Sequence, residues 1–415
     1  MPILSAPDLA AIMITPMRIA IFTNNYLPRV SGVAVAVSFQ ESALRRLGHQ
    51  AMVIAPDYGL SEELEEPEVH RVTSFSFPNI RFAIPLEFID RGVIEEKITN
   101  FNPDLIHTHH PFLLGKAALD LADQLDVPLV YTFHTLYEFF THYFLMDTEQ
   151  VRKQVRDYVV NFSNCCDLVI APTEPIREHL VQIGVNTKTT GVPTGIDFRR
   201  FDHISEQRLG KRKRKLKLGR FDRILFYAGR LSREKNLSLV FQALKILTDQ
   251  GMALALVLAG EGPAKRPWQR EIEKLGLEDR VIWAGFLSQR ELPELYLLSD
   301  LFVFPSASDT QGIVLYEARA AGLPVVAVHS MAARALIRDG EGGRFARDDP
   351  ADFAEKIKEV LDHPERFQAP FERHLYSSES LGKRYQELYR EAVKRGRSRK
   401  REQLGTIFFP FFNPT

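Results

Sequence analysis

The stretch "DLFVFPSASDTQGIVLYEARAAGLPVVAV", residues 300–328, contains the pattern that decides the fold. A short apolar run (300–305) is followed by a polar loop, a helix-forming segment and a second apolar run (323–328). Apolar runs that alternate with amphipathic segments are typical of parallel strands joined by helices. The stretch therefore predicts one strand–helix–strand unit of a parallel sheet, and its helix starts directly after Gly312.

The same alternation continues along the chain and predicts an α/β fold with two doubly wound parallel sheets. The strands predicted for the first sheet are 18–22, 51–55, 104–108, 128–133 and 167–172. Those predicted for the second sheet are 223–229, 253–260, 280–285, 300–305 and 323–328. Between the strands, residues 35–47 predict a helix that ends at Gly48.

The length of the chain favours two domains, because 415 residues exceed one ordinary core. A Pro/Gly turn at 192–201 and a highly charged connector at 207–221 separate the two series of strands, so we place the domain boundary near residue 200. The expected units are an N-terminal extension (1–16), a first Rossmann-like domain (17–200), a second Rossmann-like domain (201–380) and a C-terminal helix with a basic and aromatic tail (381–415).

Composition argues against several classes of protein. Lys+Arg and Asp+Glu each total 53, which disfavours a nucleic-acid protein with a globally basic field. The two cysteines, Cys165 and Cys166, are adjacent and cannot join distant segments, which fits a reducing compartment. The opening segment carries Asp8 and Pro16 and is a poor signal peptide. No stretch reaches the roughly 18 apolar residues of a spanning helix. We expect a cytoplasmic protein, soluble or peripheral to a membrane.

Several loops that follow predicted strands have the composition of an anion site. In an open parallel sheet, ligands bind beyond the carboxyl ends of the strands, where helix N-termini direct N–H groups outward. Arg230 and Lys235 suit a diphosphate, although a solvated basic loop is the alternative. Gly32 and the turn at 259–263 permit close approach of the backbone, but such glycines are common. No G-x-G-x-x-G follows a strand, so a dinucleotide fingerprint is not indicated.

The segment around Gly312 predicts a site for a diphosphate with attached groups. The amides of Gly312, Ile313 and Val314 open a helix and lack intrahelical partners. Glu317 lies about one turn further on, where its carboxylate can accept hydrogen bonds from a ribose diol. Asp309 would reach the group on the far phosphate. The alternative is that Asp309 caps the helix and Glu317 is a solvated helical residue.

Histidines also end two predicted strands of the first half. His109 and His134 would face the cleft from the opposite lobe. A lone histidine in such a place is more often structural, but two that converge on one edge favour a polar site.

The ordered set of these segments resembles the retaining glycosyltransferases of family 4, which have the GT-B fold of two Rossmann-like domains facing across a cleft. The likeness covers about residues 17–390 and rests on "SGVA", "TFHT", "VPTGID", "GRLSREKN", "AGEGP", "WAGFL" and an E-x7-E-like segment. Position 309 departs from the family, which usually has Glu there. Because Asp is one methylene shorter, the identity of the sugar stays open.

The resemblance implies a role for each matching residue. Arg230 and Lys235 would stabilise the departing diphosphate, Glu317 would hold the ribose, and the segment 285–287 would pack the nucleobase. The residues that it assigns to catalysis are His134, Arg230, Lys235 and Asp309. Those that it assigns to donor binding are Gly32, Gly229, Gly260, Glu261, Gly262, Phe286, Leu287, Gly312, Ile313, Val314 and Glu317.

The donor is expected to be a nucleoside diphosphate sugar, with a UDP-sugar, UDP-glucose above all, as the first candidate. The chain contains no D-x-D triplet, so we expect no metal and no cofactor. Within the family the chain is most similar to diacylglycerol glycosyltransferases, which carry an "ETQG"-type segment comparable to "DTQG" here. A lipid acceptor is therefore expected, with His109, Tyr137 and Phe140 on its side of the cleft.

Two kinds of segment are consistent with peripheral binding to the inner face of an anionic membrane. Aromatic-rich segments lie at 74–85 and 136–145, and ordinary core packing is their alternative. Basic runs lie at 211–215 and 394–401, the second followed by "FFPFF", and a solvated linker or tail is the alternative.

Other functions share these features. The acceptor can instead be phosphatidylinositol or a polysaccharide, and nucleotide-sugar epimerases have the same two-lobed fold. A non-catalytic protein that binds a sugar nucleotide or a membrane is a third class, which the Asp309 departure favours. Transfer of sugar to an added acceptor distinguishes the transferase from an epimerase, and donor hydrolysis without acceptor would argue against a non-catalytic protein.

Overall fold

The computed structural model describes residues 15–59, 68–76, 83–141 and 147–397, and it contains two parallel sheets. The strands of the first half are β1 (Arg18–Phe22), β2 (Gln50–Pro56), β3 (Val69–Val72), β4 (Ser74–Ser76), β5 (Ala83–Pro85), β6 (Leu105–Thr108), β7 (Leu129–Thr132), β8 (Leu168–Ala171) and β9 (Thr189–Gly191). Seven of them form a sheet in the order β3-β2-β1-β6-β7-β8-β9, and β4 pairs with β5 in a small antiparallel sheet. Strands β2 and β3 lie on one side of β1, and β6 to β9 lie on the other. The sheet is therefore doubly wound.

The helices of the first half pack on this sheet, and together they form the first lobe. They are α1 (Gly32–Arg46), α2 (Glu87–Phe101), α3 (Leu114–Gln124), α4 (Glu149–Asn164) and α5 (Glu174–Gln182). Helix α1 begins three residues earlier than predicted, because Ser31 Oγ accepts a hydrogen bond from the Ala34 amide (3.1 Å) and caps the first turn.

The second half forms a six-stranded parallel sheet with helices on its faces, which we call the second lobe. Its strands are β10 (Arg223–Ala228), β11 (Leu254–Ala259), β12 (Val281–Gly285), β13 (Leu301–Phe304), β14 (Val325–Val328) and β15 (Gly343–Ala346), in the order β12-β11-β10-β13-β14-β15. The remaining helices are α6 (Glu206–Lys215), α7 (Leu237–Asp249), α8 (Lys265–Leu275), α9 (Leu292–Leu298), α10 (Ile313–Ala320), α11 (Met331–Arg334), α12 (Pro350–Asp362) and α13 (Ser378–Arg395).

The prediction of two doubly wound parallel sheets is confirmed, and all ten predicted strands are present. Five strands were not predicted, namely β3, β4, β5, β9 and β15. Each is three or four residues long and lies at a sheet edge or in the small hairpin. A segment such as "TTG" in β9 has no apolar run, so its pairing is decided by the neighbouring strand.

The charged connector at 207–221 is not an irregular linker, because its first part is helix α6. One face of α6 binds the second lobe through Arg212, whose Nε donates to Glu294 (2.6 Å) and whose Nη2 donates to Glu291 (3.0 Å). The cations of the run 211–215 are therefore not equivalent. Arg212 is largely buried in this network, whereas the other four cations are exposed.

Helix α13 returns to the first lobe. Its side chains Leu381, Tyr385 and Leu388 join an apolar cluster with β1 and β2. Beyond the helix, Arg397 Nη1 donates to the Val127 carbonyl (2.7 Å) and Arg397 Nη2 pairs with Asp123 (2.6 Å). The last described residues are therefore anchored to the first lobe, and Arg397 is not a solvated member of the basic run 394–401.

Parts of several predictions lie outside the described residues. They are most of the N-terminal extension (1–14), parts of the aromatic segments (77–82 and 142–145) and the tail (398–415). None of the helices that the structure describes has the length and apolar character needed to cross a bilayer.

Candidate active site

The two lobes meet through loops at the carboxyl ends of their strands. In the loop after β13, the Thr310 hydroxyl donates to the His134 carbonyl of the first lobe (2.7 Å). The Thr173 hydroxyl, after β8, donates to the Thr310 carbonyl (3.2 Å). The Gln311 amide accepts from the Thr194 N–H (2.9 Å) and donates to the Thr194 carbonyl (3.2 Å). These bonds place His134 beside the loop that contains Asp309.

The N-terminus of helix α10 opens toward this junction. Its N-cap is Gly312, which has a left-handed backbone (φ 64°) and no side-chain cap. A Cβ atom at Gly312 would lie 3.0 Å from the Phe304 ring, so both conformation and space favour glycine. The amides of Gly312, Ile313 and Val314 belong to the turn whose N–H groups have no intrahelical partner, and a helix start of this kind favours an anion.

Lys235 and Asp309 form an ion pair at the edge of this region. Lys235 ends a short 3₁₀ turn after β10, and its Nζ lies 2.7 Å from Asp309 Oδ1. Asp309 is thus not the N-cap of α10. The side chains are about one fifth exposed (17% and 23%), so an entering ligand can reach both. Arg230 lies on the same loop and is exposed.

Glu317 is buried rather than solvated, with a residue exposure of 3%. Its Oε1 pairs with Arg200 Nη2, and its Oε2 accepts a hydrogen bond from the Tyr296 hydroxyl (2.7 Å). Burial and the Glu317 carboxylate raise the pKa of Tyr296, so this hydroxyl stays protonated and donates. Both parts of the alternative interpretation, a capping Asp309 and a solvated Glu317, are therefore wrong.

The glycines of the second lobe have a structural explanation in the packing of two loops. A Cβ atom at Gly260 would lie 1.9 Å from the Gly229 carbonyl oxygen, and one at Gly262 would lie 2.2 Å from that of Leu231. Positions 260 and 262 therefore need glycine whether or not a ligand is present. Between them, Glu261 pairs with Lys265 (2.9 Å).

The segment after β12 presents an apolar surface at the same end of the sheet. Phe286 is 56% exposed, and Leu287 is half-buried against the core of the second lobe. Gly285, with φ 72°, turns the chain between β12 and these side chains. An exposed phenylalanine beside a strand end suits stacking with a planar ring.

Three histidines of the first lobe contact one another near the cleft, and a fourth, His110, bonds to the loop after β1. Nδ1 of His109 and Nε2 of His134 are 2.8 Å apart, so the predicted convergence of these two residues is present in the structure. His107 stacks on His109 with ring centroids 4.4 Å apart. His110 Nδ1 accepts from the amide of Asn24 (3.0 Å) in the loop after β1.

Burial keeps these histidines neutral at physiological pH. Desolvation lowers the pKa of His134 to about 4 and, with a smaller contribution from His134, that of His107 and of His110 to about 3. The same cause lowers the pKa of His109 well below its usual value. The group can therefore exchange hydrogen bonds with a polar ligand without adding charge to the cleft.

The other predicted residues of the first lobe lie on loops around this group. Gly32 is exposed, and a Cβ atom there would meet nothing within 4 Å, so protein packing does not require glycine. Tyr137 is half-buried in a 3₁₀ turn with its ring against Phe112 (5.1 Å between centroids). Phe140 follows the same turn and is half-buried.

Sequence reasoning missed the residues that hold the predicted ones in place. They are Arg200, Tyr296, Thr310, Gln311, His107 and Tyr389. Tyr389 of α13 lies 2.5 Å from His107 Nδ1, although the two are far apart in sequence. The available signals were the polar pair "TQ" between Asp309 and Gly312 and the arginine in "FRRF". Among the described residues, no cluster of His, Cys, Asp and Glu has the arrangement of a metal site.

Comparison with known proteins identifies two matching families and several relatives. The model described as "Glycosyltransferase Family 4" matches residues 30–200, and that described as "Glycosyl transferases group 1" matches residues 210–373. An alpha-monoglucosyldiacylglycerol synthase of Streptococcus pneumoniae is 30% identical over 387 residues, which are 91% of this chain and 86% of the relative. A synthase of the same name from Acholeplasma laidlawii is 28% identical over 79% of this chain and 84% of its own length.

Solved structures show the same architecture at lower identity. The crystal structure of Anabaena HepE in complex with UDP-glucose superposes with a TM-score of 0.68 at 20% identity, covering 91% of this chain and 98% of that protein. At this level of identity the likeness concerns the fold alone.

Proposed function

Because the chain belongs to glycosyltransferase family 4 and has the GT-B fold, we propose that it transfers glucose from UDP-glucose to diacylglycerol with retention of the anomeric configuration. It is a transferase, so an epimerase or a non-catalytic binding protein is not proposed. The finer assignment draws on the names of the two relatives, both alpha-monoglucosyldiacylglycerol synthases.

One observation supports the proposal: groups suited to a diphosphate and to an attached sugar lie close together where the two lobes meet. The start of α10 at Gly312 and the Lys235 ammonium favour the diphosphate. Asp309, which contacts Lys235, and His134, whose carbonyl is bonded to Thr310, favour the hydroxyls of a sugar attached to it.

In the proposed reaction, the bond between the anomeric carbon and the diphosphate breaks while the acceptor hydroxyl attacks the same face of the sugar. The negative charge that develops on the leaving oxygen is stabilised by Lys235, Arg230 and the first amides of α10. That phosphate oxygen then takes the proton of the acceptor hydroxyl. The products are the glycoside and UDP, and the protein residues need no net change of protonation.

Asp309 holds the Lys235 ammonium group in an ion pair before the donor binds. The two side chains already form an ion pair, so the diphosphate enters a site in which one negative charge is present. We propose that the carboxylate then accepts a hydrogen bond from a sugar hydroxyl while Lys235 turns to the phosphate. Neutral His134 would complete the sugar pocket from the first lobe.

An exposed apolar face supports a lipid acceptor and peripheral binding to the membrane. Phe75 of β4 and Phe88, Ile89 and Val93 of α2 are 47 to 62% exposed. The beginning of α2 is fixed to this hairpin, since the Thr73 amide bonds to Asp90 and the Leu86 amide donates to the Thr73 carbonyl (2.8 Å). We propose that this face lies on the acyl region of an anionic membrane, on its cytoplasmic side.

The test is to incubate the purified protein with UDP-, GDP- and ADP-sugars and diacylglycerol micelles, and to analyse the lipids by mass spectrometry and NMR. We expect glucosyldiacylglycerol with the α configuration from UDP-glucose. No glycolipid from any donor would contradict the lipid acceptor, and a β-linked product would contradict retention.

A further inference from the structure

Arg200 connects the segment between the two sheets to the buried carboxylate of helix α10. It lies in the 3₁₀ turn Phe198–Phe201, and its Nη2 pairs with Glu317 Oε1. Its side chain is 14% exposed and that of Glu317 is 5% exposed, so the pair is shielded from water. In the part of the chain that the structure describes, Arg200 Nε is buried and has no hydrogen-bond partner. Its hydrogen bond to Glu317 thus comes from the Nη2 end of the guanidinium.

A second donor completes the orientation of this carboxylate. The Tyr296 hydroxyl donates to Oε2 (2.7 Å), so each oxygen of Glu317 is held by a different residue. A carboxylate offers about four acceptor positions, so both oxygens keep a position for a further donor. Arg200 and Tyr296 thus fix the plane of the carboxylate without saturating it.

We propose that Arg200 is a positioning residue, which holds the Glu317 carboxylate oriented toward the 2′- and 3′-hydroxyls of the donor ribose. This inference rests on the proposed function, because it assumes that a nucleoside diphosphate binds at α10. Without Arg200, the buried carboxylate would lose its only cationic partner among the described residues, and it would rotate toward water or bond to another donor of the protein. Both changes would weaken recognition of the diol.

The adjacent residue provides a matched control. Arg199 lies in the same 3₁₀ turn, but its side chain is 75% exposed and pairs with Asp197 on the surface (2.7 Å). The substitutions Arg200→Met and Arg199→Met therefore remove the same group from neighbouring positions, and only the first affects Glu317.

The test compares the affinities of the purified full-length protein for UDP and for 2′-deoxy-UDP by isothermal titration calorimetry. A hydrogen bond to a charged group contributes about 1.5–3 kcal/mol, so the wild type should prefer UDP by at least about tenfold. In Arg200→Met the ratio should fall below about threefold, and in Arg199→Met it should stay at the wild-type value. Arg200→Lys keeps the charge but not the planar fork, and should give an intermediate ratio.

The possible failures are distinguishable. If the wild type binds no UDP, the proposed donor and the inference both fail. A wild type that binds UDP and 2′-deoxy-UDP equally would overturn the inference alone, as would Arg200→Met with an undiminished ratio. If Arg200→Met does not fold, as judged by circular dichroism, the ratio of Arg200→Lys decides, and a wild-type ratio there would contradict the proposal.

Discussion

The hydrogen bond from Thr310 to the His134 carbonyl joins the two lobes at the proposed site, so the substitution Thr310→Val tests whether their junction matters for catalysis. Valine has nearly the shape of threonine but cannot donate. Thr310 is buried (9% exposed), so its removal leaves the His134 carbonyl without this donor in a region shielded from water. Loss of a partner in such a place costs about 1–3 kcal/mol.

The cost of Thr310→Val should fall on the arrangement of the lobes, because each lobe has its own sheet and core. If about 1–2 kcal/mol of the bond is used to hold the lobes together in the reactive state, kcat/KM should fall by about fivefold to thirtyfold. The measurement is the initial rate of radiolabelled sugar transfer at several donor concentrations, together with the melting temperature.

The matched control for this experiment is Thr248→Val. Thr248 lies on α7 of the second lobe, and its hydroxyl has no partner among the described residues. It should leave the rate unchanged and should not lower the melting temperature, because it removes a buried hydroxyl that has no partner. A Thr310→Val enzyme with the wild-type kcat/KM would refute the role assigned to the junction. The same holds if its loss of kcat/KM is fully explained by its loss of stability.

Three further predictions concern charge, pH and the membrane. Lys235→Met should weaken UDP binding by about tenfold to a hundredfold, because a charge-assisted bond is lost, whereas Lys245→Met on the exposed face of α7 should not, as titration calorimetry can show. His107 and His110 have depressed folded pKa values of about 3, so the stability from keeping them neutral is present above the unfolded pKa of about 6.5 and declines as pH falls toward 3. We expect about 3 kcal/mol from each to be lost by pH 4.5 in urea unfolding, and an unchanged unfolding midpoint would contradict this. Phe88→Ser should reduce binding to anionic vesicles about tenfold in a sedimentation assay but leave transfer to a short-chain soluble acceptor intact, and equal loss of both would argue against a membrane role.

The pattern of the sequence predicts the central strands of both sheets but not their edges. Strands such as β10 and β11 are continuous apolar runs, since both of their faces are covered by helices. The edge strands β9 and β15 are short and partly polar, so their pairing depends on the neighbouring strand rather than on their own composition. The helical state of α6 was missed for a related reason. A run of charges in a sequence indicates a solvated linker. The acidic side chains of α9 that bind α6 are distant in sequence, so the pattern does not reveal them.

In the site, sequence reasoning found residues that lie on strand-end loops and missed those that act across the fold. Lys235 and Asp309 follow different strands of one sheet, so the topology alone predicts that they approach each other. The partners of Glu317 come from the segment before the second sheet and from α9, and no spacing in the sequence connects them. The segment "FRRF" contains two adjacent arginines that the sequence does not distinguish. Only the path of the 3₁₀ turn decides that Arg200 points inward.

The short segment "DTQG" shows why single substitutions in this region should have separable effects. Asp309 contacts Lys235 of the second lobe, while Thr310 and Gln311 bond to the first lobe, and Gly312 begins helix α10. Asp309 thus forms an ion pair, Thr310 and Gln311 join the lobes, and Gly312 starts the helix. A change at position 310 or 311 should therefore act on how the lobes meet, while a change at 309 should act on the sugar end of the donor. If substitutions at 309 and 310 gave the same kinetic defect, this division of roles would be wrong.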